Sequence, residues 1–303
     1  MVDLSVNIAG IKLKNPVITA SGTYGFGEEF ADFLDIQKLG GIVVKGTTDT
    51  PRQGNPAPRL AETPSGLLNA VGLQNKGVDH LIKEYLPKLA KLNTAVIVNV
   101  NGSTAEEYAA VIQKLRGQKA VAALELNISC PNVKQGGMAY GTDSDTAAEL
   151  VSCIKPLCDK PLIVKLTPNV TDIAAIAQAV EAAGADAVSL INTLLGMAID
   201  TETQRPKLST ITGGLSGAAV KPIALRMVWQ VAKAVKIPVI GMGGISSWQD
   251  AVEFLLAGAS AVAVGTANFQ NPLVTLEIID GLEKYLVRKD LNKITDIVGK
   301  LKV

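Results

Sequence analysis

The hydrophobic residues of this chain are grouped in eight short runs, rich in β-branched side chains, that alternate with helical patterns. Within each run the apolar residues are continuous, which is typical of a strand covered on both faces. Helices between successive runs indicate that neighbouring strands are parallel. Eight such alternations predict an α/β fold, a (β/α)8 TIM barrel. The predicted strands are residues 16–20, 41–45, 95–100, 124–128, 162–166, 187–191, 238–241 and 261–264.

Local signals mark the ends of several elements. Ser103 and Glu106 have the spacing of a capping box before a helix. The helical pattern of residues 172–183 starts with an aspartate and is followed by a glycine, which predicts where that helix begins and ends. Residues 4–14 alternate polar and apolar positions around an Ala-Gly pair, and this pattern predicts an N-terminal hairpin at the bottom of the barrel.

Two connections are too long for simple turns: residues 47–75, rich in proline and glycine, and residues 193–217. Both follow the carboxyl ends of predicted strands, where barrel enzymes place their sites, and long loops in compact domains are usually functional. We therefore expect them to cover a substrate at the C-terminal rim of a single domain, residues 1–303. A doubly wound sheet is the alternative. The glycines of Ser21-Gly-Thr-Tyr-Gly-Phe-Gly support it, but it requires a different strand count.

Composition narrows the range of partners. With 303 residues, 48% of them hydrophobic, the chain can bury a large core, and its formal charge of +1 argues against a nucleic-acid partner. The sequence after Met1 lacks the features of a signal peptide, and no run approaches the roughly 18 apolar residues of a membrane span. We expect a cytoplasmic protein that binds a small partner and no membrane.

Three cysteines predict no metal site and no iron–sulfur cluster on this chain, and Cys153 and Cys158 are expected to pack between helices.

One segment combines an apolar strand with reactive side chains. The sequence Leu124-Glu-Leu-Asn-Ile-Ser-Cys-Pro-Asn places Cys130 between Asn127 and Asn132. A thiol among amides suits proton abstraction from a substrate that is held by hydrogen bonds. The single histidine, His80, is far along the chain and is expected to be structural, so a Cys–His pair is not predicted. The alternative is that Cys130 is a small buried hydrophobe, the commonest role of a free cysteine.

Polar residues and glycines follow the predicted strands, so a barrel would gather them at one rim. Two lysines and three asparagines at a dry barrel mouth need partners, and a ligand with many acceptors would supply them. Either lysine could instead form a salt bridge or point to solvent. The rim set is Ser21, Lys45, Gly46, Asn99, Asn127, Lys165, Asn192, Gly243, Gly244, Gly265 and Thr266.

Two glycine turns, Gly241-Met-Gly-Gly-Ile and Gly265-Thr-Ala-Asn, follow the seventh and eighth strands. This is the usual phosphate position of the fold, because glycine lets backbone N–H groups approach phosphate oxygens closely. Tight turns use glycine for other reasons too, so each turn alone is a weak signal. The site therefore suits a ligand that has a phosphate and a heterocycle with many acceptors and that lies against lysines. These features together suggest FMN.

These residues belong to motifs that resemble those of the class 1 dihydroorotate dehydrogenases, and the resemblance covers essentially the whole chain. The motifs are Thr19-Ala-Ser-Gly-Thr-Tyr-Gly, Val44-Lys-Gly-Thr-Thr, Asn69-Ala-Val-Gly-Leu-Gln-Asn, Asn127-Ile-Ser-Cys-Pro-Asn, Lys165-Leu-Thr-Pro-Asn, Asn192-Thr and Gly213-Gly-Leu-Ser-Gly. Several independent motifs in the same order make the match specific.

The resemblance implies oxidation of dihydroorotate to orotate in pyrimidine (UMP) biosynthesis, with Cys130 as the base, hydride passing to FMN, and Lys165 stabilising the reduced flavin. A loop at residues 133–141 is expected to act as a mobile lid, hinged at its glycines. The implied FMN contacts are Ser21, Lys45, Gly46, Asn99, Asn127, Lys165, Ile191, Gly217, Gly243, Gly244, Gly265 and Thr266. The implied substrate contacts are Lys45, Asn69, Ala70, Val71, Gly72, Leu73, Asn127, Asn132, Asn192 and Thr193.

Residues 133–143 and 196–203 are more similar to the catalytic subunit of the class 1B, NAD-linked enzymes than to the fumarate-using class 1A form, which remains the alternative. Class 1B implies a homodimer that binds two copies of an electron-transfer subunit carrying FAD and a [2Fe-2S] cluster, giving a heterotetramer that reduces NAD. Two further hypotheses are a flavin-free barrel that acts on a sugar phosphate with Lys165 as a Schiff-base lysine, and a barrel without enzymatic activity. The first leaves Cys130 and the asparagines unexplained, and the second predicts disrupted site positions.

Overall fold

A computed structural model describes residues 2–129 and 137–302. Its strands are β1 Val6–Ile8, β2 Ile11–Leu13, β3 Val17–Thr19, β4 Gly41–Thr47, β5 Leu60–Thr63, β6 Gly66–Asn69, β7 Ala95–Val100, β8 Ala123–Asn127, β9 Leu162–Lys165, β10 Ala187–Leu190, β11 Leu194–Met197, β12 Ile199–Asp200, β13 Arg205–Pro206, β14 Thr212–Ser216, β15 Val239–Met242 and β16 Ala261–Val264. Its α-helices are α1 Val78–His80, α2 Leu86–Leu89, α3 Ala105–Leu115, α4 Gly137–Thr142, α5 Ser144–Ile154, α6 Ile173–Ala182, α7 Lys221–Ala234, α8 Trp248–Leu256, α9 Ala267–Gln270 and α10 Val274–Arg288.

Eight parallel strands close into a barrel in the order β3-β4-β7-β8-β9-β10-β15-β16, with β16 pairing back onto β3. Every residue of β9, β10, β15 and β16 is buried, because side chains inside the barrel and helices outside it cover both faces. The (β/α)8 prediction is confirmed, and the doubly wound alternative is wrong because the sheet closes. Each barrel strand agrees with its predicted range to within two residues.

The helix ends confirm one local prediction and correct another. Asp172 caps α6, accepting hydrogen bonds from the N–H groups of the next turn, as predicted. The predicted capping box of Ser103 and Glu106 is wrong, because Thr104 is the N-cap of α3 and the returning carboxylate belongs to Glu107. Thr104 Oγ1 accepts from the Glu107 N–H at 3.3 Å, and the Glu107 carboxylate accepts from the Ser103 N–H at 2.7 Å. Glu107 also pairs with Arg52 at 2.8 Å, and this tertiary ion pair holds its carboxylate at the start of α3.

Residues outside the barrel form two further antiparallel units. Strands β1 and β2 pair as the predicted hairpin immediately before the first barrel strand, and their buried residues belong to the main hydrophobic core. The two long connections contribute β5, β6, β11 and β14, which form a four-stranded sheet in the order β11-β14-β6-β5. We call this unit the rim sheet. Within the described residues, no helix is both long enough and apolar enough to cross a membrane.

Candidate active site

A cavity of about 920 Å³ lies between the carboxyl ends of the barrel strands and the rim sheet. All eight barrel strands, or the turns that follow them, contribute to its wall. The structure brings to this wall every position predicted to contact a cofactor: Ser21, Lys45, Gly46, Asn99, Asn127, Lys165, Ile191, Gly217, Gly243, Gly244, Gly265 and Thr266. It also brings there the substrate positions Asn69, Val71, Gly72, Leu73, Asn192 and Thr193.

The remaining predicted positions are Ala70, Cys130 and Asn132. Ala70 does not line the cavity: its side chain is buried, its N–H donates to the Arg59 carbonyl, and its carbonyl accepts from Asn55 Nδ2. Its backbone N–H and carbonyl are therefore each paired within the chain. Cys130 and Asn132 lie outside the described residues. So do the first four residues of the predicted lid, 133–136, whereas α4 begins at Gly137.

A buried carboxylate that the sequence analysis missed lies beneath the cavity. Glu125 on β8 has a side chain only 2% exposed. Its oxygens accept from Asn99 Nδ2 at 2.6 Å and from Ser189 Oγ at 2.8 Å, and one lies 3.9 Å from Lys165 Nζ. A charged residue within the otherwise apolar run Leu-Glu-Leu is the sequence signal that could have identified it.

The amides of the site are joined in one hydrogen-bonded chain. Asn101 Nδ2 donates to Asn99 Oδ1 at 2.7 Å, and Asn101 Oδ1 accepts from Asn127 Nδ2 at 2.8 Å. Asn127 Oδ1 accepts from Ser129 Oγ at 2.7 Å, and that hydroxyl accepts from Asn192 Nδ2 at the same distance. These bonds hold the side chains rigidly, because each lost partner would leave a buried polar group unpaired.

The lysines lie in different surroundings. Lys165 is buried, pairs with Glu125 and lies 3.5 Å from Ser21 Oγ, so the salt-bridge alternative holds for this lysine. Lys45 is half-buried, and its ammonium makes no hydrogen bond or ion pair with the described residues. Burial lowers the pKa of Lys45. With Arg59 also in the wall and Glu62 as the only acidic residue among its described members, the cavity favours an anionic ligand.

One end of the cavity is built from backbone. Gly217, Gly243 and Gly244 have φ values of 95°, 125° and 76°, a region that favours glycine. A Cβ on Gly244 would lie 2.9 Å from the Gly217 carbonyl oxygen, so the two turns pack backbone to backbone. Within the described part of the chain, the N–H groups of these glycines and of Gly265 and Thr266 make no hydrogen bond. Free N–H groups gathered in this way suit an anion such as phosphate.

Residues in or next to the rim sheet also line the cavity, and sequence reasoning did not identify them. Arg59 donates to Gln74 Oε1 at 3.1 Å, and Ser216 Oγ accepts from the Thr266 hydroxyl at 2.8 Å. Their positions depend on pairing between distant segments, and no local pattern marked them.

The other cysteines lie away from this cavity. Cys153 is exposed on α5, so the prediction that it packs between helices is wrong, whereas Cys158 is half-buried. Burial raises the pKa of the Cys158 thiol to about 11, which keeps it protonated at neutral pH.

Comparison with known proteins agrees with these features. Residues 3–286 match the family described as Dihydroorotate dehydrogenase. A protein of Bacteroides thetaiotaomicron is 61% identical over 303 residues, the full length of both chains. One of Desulforamulus reducens is 60% identical over 297 residues, 98% of each chain, and one of Geotalea uraniireducens is 58% identical over 299 residues, 99% of this chain and 98% of the relative. All three are named "Dihydroorotate dehydrogenase B (NAD(+)), catalytic subunit".

Proposed function

This chain belongs to the dihydroorotate dehydrogenase family, and we propose that it is an NAD-linked enzyme of the B type that oxidises dihydroorotate to orotate in pyrimidine biosynthesis. The observation that carries the proposal is the single cavity in which lysines, a connected set of amides and an anion-binding backbone end come together.

FMN fits the cavity. The free N–H groups of Gly243, Gly244, Gly265 and Thr266 suit its phosphate, with Gly217 closing that end. Asn99 and Lys165 at the barrel mouth offer N–H donors that suit the acceptor-rich edge of the flavin ring, and Asn127 borders the same edge. The remaining contacts proposed are Ser21, Lys45, Gly46 and Ile191. When bound, the flavin supplies a hydride acceptor.

Dihydroorotate combines a ring of alternating hydrogen-bond donors and acceptors with a carboxylate group. We assign ring recognition to the amides of Asn69, Asn127 and Asn192, with Asn132 completing the set, and carboxylate attraction to Lys45. The backbone of residues 71–73 and of Thr193 borders the same space. Lys45 suits this role because the described residues leave its ammonium without a partner.

The reaction requires removal of a proton from C5 of the substrate while hydride leaves C6. We assign the removal of this proton to the thiol of Cys130. This assignment is supported by its neighbour in the chain, Ser129, which is buried and bonded to both Asn127 and Asn192. The residue before the thiol is therefore anchored to the amides that we assign to the substrate, and such alignment is the protein's main contribution.

Electrons must then leave the chain. The relatives are named catalytic subunits of an NAD(+) enzyme, and we propose the corresponding arrangement: a homodimer with an electron-transfer subunit that carries FAD and a [2Fe-2S] cluster, forming a heterotetramer. Exposed apolar residues on and beside the rim sheet, Leu195, Met197, Ile199 and Ile211, support a protein partner at that surface, because patches of this kind mark interfaces.

The visible spectrum of the purified protein, recorded anaerobically before and after dihydroorotate is added, tests the proposal. A yellow protein that bleaches on mixing would support both cofactor and substrate. Reoxidation by fumarate at a catalytic rate would favour the class 1A alternative over NAD. A protein that stays colourless after incubation with FMN would contradict the proposal and favour the Schiff-base lysine hypothesis.

A further inference from the structure

Among the described residues, every group that contacts the carboxylate of Glu125 is a donor. Asn99 Nδ2, Ser189 Oγ and Lys165 Nζ approach its two oxygens at 2.6, 2.8 and 3.9 Å. Because a carboxylate in these surroundings acts as an acceptor, Asn99 must turn its amide nitrogen towards Glu125 and its oxygen away.

That orientation fixes the next two amides. Asn99 Oδ1 needs a donor and receives Asn101 Nδ2 at 2.7 Å, which leaves Asn101 Oδ1 to accept from Asn127 Nδ2 at 2.8 Å. All three side chains are buried. Turning over one of them alone would bring two oxygens or two NH2 groups together, which is costly away from water.

The opposite end of this hydrogen-bonded chain, at Ser129, requires the same orientation of the amides. Asn127 Oδ1 accepts from the backbone N–H of Ser129 at 3.2 Å as well as from its hydroxyl, and a backbone donor cannot change into an acceptor. Asn192 donates from Nδ2 to Ser129 Oγ at 2.7 Å and to the Ser129 carbonyl at 3.3 Å, while its Oδ1 accepts from the Thr193 N–H at 2.9 Å.

The bonds already made determine what each amide can still offer. Ser129 fills both acceptor positions of Asn127 Oδ1, so Asn127 retains one N–H. Asn192 has used both N–H groups and retains one acceptor position on Oδ1. We propose that Glu125 and Asn101 are positioning residues that set the direction of Asn127 from within the barrel, while Ser129 and Thr193 set that of Asn192, so that the cavity offers a donor at Asn127 and an acceptor at Asn192. This pair fits a ring edge with a carbonyl beside an N–H, as in a cyclic imide, and the inference rests on the proposed function.

Substitution of Asn101 tests the direction. Asn101→Asp keeps the volume but leaves only acceptors, so the new carboxylate can accept from Asn127 but opposes Asn99 Oδ1. Turning Asn99 over would then place its oxygen against Glu125. The repulsion from Asn99 moves the carboxylate away and so loosens the bond that aligns Asn127. With FMN bound, we expect the orotate Kd, measured from the shift in flavin absorbance, to rise on the order of tenfold or more.

Asn15→Asp is the matched control. Asn15 is also a buried amide with both ends bonded, to the Lys38 carbonyl and the Val17 N–H, but it precedes the first barrel strand at the opposite end of the barrel. Its substitution is expected to lower the melting temperature without changing the orotate Kd.

The double variant Asn101→Asp with Glu125→Gln supplies a rescue. The glutamine nitrogen can donate to a turned Asn99, its oxygen still accepts from Ser189, and Asn99 then donates to the carboxylate at position 101. Lys165 loses the carboxylate 3.9 Å away but keeps Ser21 Oγ at 3.5 Å, so the FMN Kd of the double variant is measured before its orotate Kd. We expect orotate binding to recover, and this variant decides the matter if the single variant does not fold. Wild-type orotate affinity in the single variant, or no recovery in the double, would overturn the inference. Failure of the wild-type protein to bind FMN or orotate would instead contradict the proposed function.

Discussion

At the scale of the residue, Lys45 connects the site to pH. Burial lowers the pKa of its ammonium, opposed by Glu29 and assisted by Arg59. Because the charge is lost as pH rises through that lowered pKa, we expect kcat/KM for dihydroorotate to fall on the alkaline side. Lys45→Met should reduce kcat/KM at neutral pH by roughly tenfold to a hundredfold and remove the alkaline fall. An alkaline limb that persists in the variant, seen in pH profiles of kcat/KM, would assign it to another group.

Cys130 should produce the opposite limb. An ordinary thiol has a pKa of about 8.5, so little thiolate is present at neutral pH and the rate of flavin bleaching by dihydroorotate should rise with pH. Cys130→Ala should slow that step by about 10²- to 10⁴-fold, the usual contribution of a general base. Stopped-flow absorbance measures it, with Cys153→Ala, at an exposed position on α5, as the control. A Cys130→Ala protein that bound FMN and was reduced at the wild-type rate would end the assignment.

At the scale of the element, a substitution in the turn after β15 should weaken FMN binding without unfolding the protein. Gly244→Ala introduces a Cβ at a φ of 76°, 2.7 Å from Lys221 Cβ and 2.9 Å from the Gly217 carbonyl oxygen. We expect the FMN Kd to rise on the order of tenfold or more, because the N–H groups that suit the phosphate move apart.

Gly258→Ala is the control for this element, since its φ is 114° and its Cβ would lie 2.5 Å from Ala232 Cβ, away from the cavity. Flavin fluorescence measures the FMN Kd and thermal unfolding the stability of both variants. Equal loss of FMN affinity in the two would indicate general destabilisation and would contradict a phosphate site at this turn.

At the scale of the whole molecule, the apolar surface beside the rim sheet bears on assembly. Ile211 is 56% exposed and Leu195 51% exposed, and we assign this surface to the second copy of the chain because exposed apolar side chains that lie together are typical of interfaces. We expect the double variant Leu195→Asp with Ile211→Asp to shift the protein from dimer to monomer in analytical ultracentrifugation. Val287→Asp on α10, at a residue 65% exposed, is the control and should leave the mass unchanged. A dimer that survives the double substitution would place the interface elsewhere.

The barrel and much of its rim were predictable from the sequence because their signals are local. A strand covered on both faces is apolar throughout, so β9 and β16 are visible in the run of residues itself. Residues at the carboxyl ends of the parallel strands of a barrel must lie at the same rim, and this is why Lys45 and Asn99 could be assigned to one cavity from the sequence.

The tertiary structure decided what depends on long-range pairing. The rim sheet joins β6 to β14, and its register fixes the hydrogen bond from Asn69 to Gly214, 145 residues apart in the chain. Glu125 has its meaning only through Asn99 and Ser189, which are 26 and 64 residues away. Sequence patterns report how each segment divides between solvent and core, whereas the direction of a hydrogen bond depends on which atom the partner brings to it, and only the closed barrel determines the partner.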